Sequence, residues 1–137
     1  MEVGVIKAIP KKLLIHSAEL LKELNGNWGS SGLDRLTILS KIRIEPSSKI
    51  VRDKNNAEIQ LAATMFFDCR NSRPSGQAFL EDQIVDFMGQ KHRIVTVEPL
   101  YDGEKLHHYE IGMVKYAGKS NDKNQQDSRN DTDQAGW

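Results

Sequence analysis

Residues 100–112, LYDGEKLHHYEIG, set two adjacent histidines, three acidic residues and an Asp-Gly pair within thirteen positions. Two structures compete for this stretch: a metal or catalytic cluster, and the turn of a β-hairpin. An Asp-Gly pair between alternating apolar residues is the strongest short hairpin signal a sequence offers. With Asp102 and Gly103 at the centre of a type I′ turn, Tyr101 falls opposite Glu104, Glu98 opposite His107, Val97 opposite His108, Thr96 opposite Tyr109 and Ile94 opposite Ile111. Opposed residues share a face. This register predicts a core face of Ile94, Thr96, Tyr109, Ile111 and Met113, with Glu98 and His107 paired at its rim. The other face holds Val95, Val97, His108, Glu110 and Gly112. Strand neighbours point to opposite sides of a sheet, so His107 and His108 are predicted not to share an ion. His108 with Glu110 would need a third ligand, for which the sequence shows no candidate.

Working outward, the dominant period of residues 1–117 is two. LTILSKIRIE (36–45) sets Leu36, Ile38, Ile42 and Ile44 against Thr37, Lys41, Arg43 and Glu45, the alternation of a half-buried strand, with Ser40 the one mismatch on the inner face. AEIQLAATMFF (57–67) likewise sets Ile59, Leu61, Ala63, Met65 and Phe67 against Glu58, Gln60, Ala62 and Thr64. QIVDF and HRIVTVE are rich in β-branched residues and flank MGQK, where Gly89 marks a turn. Short strands joined by turn residues predict a mainly all-β fold, a small antiparallel barrel or sandwich with long polar loops. SAELLKELNG (17–26) departs from this pattern. Its helix formers, a Ser17 N-cap and an Asn25-Gly26 stop predict a short helix near 17–24.

The chain divides into a predicted β domain, 1–117, and a tail, 118–137. From Gly118 the sequence GKSNDKNQQDSRNDTDQAGW is dense in Asn, Asp, Gln, Ser and Lys, and cannot bury enough apolar surface to offset chain entropy. A disordered tail is the expectation. The 38% hydrophobic content agrees with a chain part of which belongs to no core. Nineteen basic and nineteen acidic residues cancel, so no global field draws the molecule to nucleic acid or an anionic membrane. One cysteine, Cys69, excludes an internal disulfide and a cysteine-based zinc site. No apolar run approaches transmembrane length and the first residues lack a signal-peptide core, so a soluble protein is expected.

Motifs for chemistry are sparse. There is no phosphate-binding glycine loop, nucleophile elbow or zinc-protease helix. Cys69 and His92 have nothing local to make them a thiol–imidazole pair, and Glu81-Asp82 reads as a solvated approach to a strand. The segment EPSSKIVRDKNNAEI is more informative: Lys49, Arg52 and Lys54 surround Asp53, and Asn55-Asn56 turns the chain back. Its plainer reading is a solvated loop. The alternative is a loop whose residues Lys49, Arg52, Asp53, Lys54, Asn55 and Asn56 form an interface with nucleic acid, for which three basic residues without aromatic partners are a weak signal.

IPKKLLIH, IRIEPSSKIVRDKNNAEIQLAATMFFDC and VEPLYDGEKLHHYEIGMV together resemble phage minor capsid proteins of the head–tail connector and head-closure kind, over residues 7–116. The resemblance implies a small β-barrel subunit of a virion, assembled in the host cytoplasm. It implies a homo-oligomeric ring beneath the portal, monomeric when isolated, with portal or adaptor protein and tail-completion proteins as partners. Contact with packaged DNA would be non-specific at most, and no membrane, cofactor, metal or catalytic residue is implied. The loop 49–56 is similar in position to the insertion with which head-closure proteins narrow the channel. The resemblance also implies a first strand near 13–24, against the helix formers there; strand character is expected at 12–17, and 18–24 stays open between helix and strand. Two other classes stay open: a nucleic-acid-binding barrel of OB or SH3-like type, which needs exposed aromatics where Phe66, Phe67, Phe79 and Phe87 read as core, and a metal-dependent hydrolase on His108 and Glu110.

Overall fold

The computed structural model describes residues 8–24 and 32–117. The expected tail, the Asn25-Gly26 stop, Trp28 and Trp137 lie outside them. A single 3₁₀ turn (Lys11–Leu13) leads into eight strands: β1 (His16–Glu23), β2 (Leu33–Pro46), β3 (Ile50–Arg52), β4 (Glu58–Gln60), β5 (Ala63–Asp68), β6 (Ile84–Phe87), β7 (Gln90–Asp102) and β8 (Lys105–Lys115). Six close into an antiparallel barrel in the order β1-β2-β5-β8-β7-β6, and β3 and β4 form a separate two-stranded ribbon. The all-β barrel expectation holds.

The segment predicted helical at 17–24 is strand β1 instead. Its propensity is overridden because Ala18 and Leu20 point into the barrel while β1 pairs β2 on one side and β6 on the other, closing the ring. Strand β1 begins at His16, within the first strand that the resemblance implies near 13–24, while Lys12 and Leu13, also expected as strand, sit in the 3₁₀ turn.

A six-stranded barrel is tightly curved, and its long strands bend at β-bulges, which raise local twist. β2 carries two: the ladder steps from Ser17–Ser40 to His16–Ile42 around Lys41, at φ 57°, and from Leu20–Thr37 to Leu21–Arg35 around Leu36. The bulge at Lys41 reverses the side-chain phase. Ile42 and Ile44 face the core as predicted, but Leu39 precedes them inside, and Leu36 and Ile38, expected inside, stay exposed. The Ser40 mismatch was the trace of that reversal. In 57–67 the predicted alternation holds for Ala63, Met65 and Phe67, although Leu61 falls in a break between β4 and β5.

The core is filled by Leu20, Leu39, Ile42, Met65, Phe67, Ile94, Ile111 and Met113, with Phe79 entering from the connection before β6. Phe79 meets Phe67 and Tyr109 edge-to-face, with ring centroids 5.2 and 5.6 Å away. Each such side chain contributes about 1.5–3 kcal/mol on burial. The polar loop 69–77 is tied down. Asp68, fully buried, accepts the backbone N–H groups of Ile9, Arg70 and Asn71, and Ser72 donates to the Lys41 carbonyl.

Candidate functional site

The hairpin β7–β8 does not follow the predicted register. Asp102 pairs with Lys105, so the two-residue turn is Gly103-Glu104, with Gly103 first at φ 66°, the position glycine takes in a type II′ hairpin. The ladder then skips Val95 between Ile94–Met113 and Thr96–Gly112, and skips His107 between Tyr101–Leu106 and Leu100–His108. Glu98 therefore lies opposite Glu110 in the ladder and not opposite His107, as the predicted register had it. Beyond Val95 the phase of β7 also reverses, so Val97 packs against the core and Thr96 turns outward beside Gly112.

The bulge at His107 has a chemical result. The two histidine rings, expected on opposite faces, meet: Nδ1 to Nδ1 is 2.8 Å, with the rings edge-to-face. On its other side His108 reaches Glu110, Nε2 to Oε2 at 3.1 Å. Glu110 accepts only, so His108 donates through Nε2 in its neutral form, and its Nδ1 takes the proton of His107 Nδ1. His108 also stacks against Phe66, whose ring faces outward and not into the core. One of two adjacent phenylalanines on a strand must face out, and that signal was present in the sequence.

Phe66 and His108 floor a cleft of about 410 Å³, walled by Ile9, Leu13, Arg43 and Glu45. Arg43 is held by Glu45 at 2.6 Å and donates to the Leu13 carbonyl at 3.2 Å. His108 and Glu110, from which a metal-dependent hydrolase would have to start, are brought together, but bonded to each other. Among the described residues no group of three His, Cys, Asp or Glu is placed to hold a metal ion.

Cys69 and His92 stand apart, at opposite ends of the β7–β8 hairpin: the Cys69 amide bonds the His107 carbonyl, and His92 pairs with Lys115. Burial, and the charge of Asp68, push the Cys69 thiol up. Burial likewise pushes the imidazole of His92 below its ordinary value, and among the described residues its Nδ1 has no hydrogen-bond partner.

The candidate interface residues form one unit. Lys49 precedes the β3–β4 ribbon, Arg52 ends β3, and 53–56 make its turn, built on Asp53 Oδ1 accepting the Asn55 and Ala57 amides, with Asn56 at φ 65°. The ribbon lies on the barrel. At its base Leu61, 5% exposed, covers Gly112 and Thr96; at its tip Lys54 meets Asp82 at 2.5 Å, and Asp82 also takes Arg93 at 3.2 Å. The bond with Lys54 is the main reason the Asp82 carboxyl titrates below its usual range. No helix among the described residues is long and apolar enough to cross a membrane.

No match was found among curated proteins or among solved structures. The model of one family, described as Minor capsid protein, matches residues 10–113, from the approach to the 3₁₀ turn nearly to the end of β8. The chain belongs to this family of phage structural proteins.

Proposed function

We propose that this minor capsid protein is a head–tail connector or head-closure subunit, acting in a homo-oligomeric ring at the portal vertex, with portal or adaptor protein on one side and tail-completion proteins on the other. One observation carries the reading. The family match coincides with a closed barrel whose core is complete, yet large apolar side chains stay in water around it: Ile15, Ile38, Ile50, Leu80 and Met88 are each more than half exposed. A barrel has no free edge to spend, so such residues are what a subunit keeps for its neighbours. The ribbon with Lys49, Arg52, Asp53, Lys54, Asn55 and Asn56 belongs to this working surface, and its tip is held by an exposed ion pair that a partner can displace. Balanced charge suits a ring that surrounds DNA without gripping it.

The test is deletion of the gene in a phage that carries it. Connector function predicts DNA-filled or leaking heads without tails by electron microscopy, cured by the protein in trans. Tailed, infective particles would end the proposal. Phe66 beside Arg43 favours one other reading, a nucleic-acid-binding barrel. Salt-dependent oligonucleotide binding, lost in Phe66→Ala and Arg43→Ala, would establish it.

A further inference from the structure

We infer that copies of this chain join head to tail, the outer face of the β3–β4 ribbon of one subunit seating on the acidic, apolar face of β1 and β2 of the next. The inference rests on the ring reading and names its subunit contact.

The receiving face is a cleft of about 370 Å³ lined by Ser17, Ala18, Glu19, Ile38, Asp86 and Gly89. Its charged side chains are acidic, and Glu19 and Asp86 are direct partners in the β1–β6 ladder. Like charges so placed disfavour the isolated barrel. Each is relieved only at the surface, Glu19 by Arg35 at 2.9 Å and Asp86 by Lys91 at 3.3 Å. Ile38, displaced outward by the Lys41 bulge, is 54% exposed. Next to Gly89, Met88 is 85% exposed at φ 53°, in a two-residue turn where both central residues have positive φ. Asparagine or glycine holds that position at less cost. An apolar side chain kept there in water breaks the local rule, as binding surfaces do.

The inserting face is the ribbon. Val51 and Ile59 pair on one of its faces, while Ile50 pairs with Gln60 and Arg52 with Glu58 on the other. Ile50 is 61% exposed there, beside Arg52 and close to Lys49. Lys54 is held by Asp82 of the same subunit, and the charges around Ile50 are Lys49 and Arg52 against Glu58, so an apolar, net basic surface meets an apolar, acidic one. The Arg52–Glu58 contact is loose, 3.3 Å between exposed groups, and Arg52 can exchange Glu58 for Asp86 of a neighbour.

Strand order sets the geometry. In the ring β1-β2-β5-β8-β7-β6, β8 stands three strands from β1 and β7 three from β2. The ribbon covers β8 and β7 through Leu61, whereas Ser17, Ala18, Glu19 and Ile38 of the receiving face lie on β1 and β2, so the two faces are different surfaces of the barrel. Different surfaces make a heterologous contact, which propagates and closes into a ring when the rotation permits.

The experiment uses two full-length variants, Ile38→Cys and Ile50→Cys, each with Cys69→Ser and each checked for native circular dichroism. They are mixed at high concentration and oxidised. A disulfide between the two variants, absent when either is oxidised alone, is expected. Arg52→Glu should abolish it, and Asp86→Arg in the other variant should restore it. Disulfides within one variant alone, or none in the mixture, would overturn the contact. The deletion phenotype is read separately, so a failed cross-link with tailless heads removes this interface and leaves the connector role.

Discussion

His107 and His108 are consecutive on β8, yet their Nδ1 atoms are 2.8 Å apart. A regular strand forbids this; the bulge at His107, where the β7–β8 register shifts, permits it. Only one proton fits between the two nitrogens, and Glu110 settles its place by accepting from His108 Nε2. Long-range nitrogen–proton correlation spectra at pH 8 should therefore show His107 protonated on Nδ1 and His108 on Nε2. Glu110→Ala should erase the preference at His108 while changing stability by less than about 1 kcal/mol, since the pair is partly exposed. A His108 tautomer unaffected by Glu110→Ala would refute the assignment.

Gly112 is needed for space, not for backbone conformation. A Cβ there would stand 2.4 Å from Thr96 Oγ1 and 3.0 Å from both Leu61 methyl carbons. Thr96 is on the neighbouring strand and Leu61 seals the ribbon, so neither yields freely. Gly112→Ala should cost about 1–3 kcal/mol in urea unfolding. Leu61→Ala should cost about 2–5 kcal/mol and speed proteolysis within 49–60 before the barrel is cut. In the double variant the two costs should fall short of additive, because the smaller residue makes room for the added methyl.

These two sites show where the sequence was legible. Alternation identified β2, β5 and the β7–β8 hairpin as strands, because a two-residue period needs no knowledge of partners. It failed at Lys41, Val95 and His107, because a bulge is specified by the neighbouring strand and by barrel curvature, neither of which is local. Each bulge turned the next residues over: Ile38 went out, Val97 went in, and His107 joined His108. Propensity misread β1 for the same reason, its helix formers being outweighed by pairing on two sides, whereas the resemblance implied a strand there. The charges and the turn of 49–56 were legible in the sequence. The cluster of Glu19, Ile38 and Asp86 was not, since these residues converge only on closure of the barrel.

Met88 separates stability from assembly. Its φ of 53° is costly for an ordinary side chain, and left-handed backbone disfavours such residues by about 1–2 kcal/mol. Met88→Asn should raise the urea midpoint, by up to about 1 kcal/mol in stability, while lowering the yield of the Ile38–Ile50 cross-link. A stabilised variant with undiminished cross-linking would mean that Met88 has no part in the contact.

The burial of His92 couples the stability of the barrel to pH. It is 7% exposed on β7, and burial depresses its pKa below the ordinary 6.5. The unfolded chain therefore takes up a proton at His92 at a higher pH than the folded chain does. By linkage the stabilising effect is complete above about pH 6.5 and is lost as pH falls from there through the lower folded-state value. Denaturation curves across pH 7 to 4.5 should show a decline beginning near 6.5, before the carboxylates titrate. His92→Leu removes the titrating group and should flatten that first part of the decline, leaving the steeper loss below pH 5. Asp82, whose carboxyl is held low chiefly by Lys54, acts in that lower range, its stabilisation being present above the usual carboxylate pKa and lost as pH falls through its own. An unaltered decline in His92→Leu between pH 6.5 and 5.5 would assign it to another group.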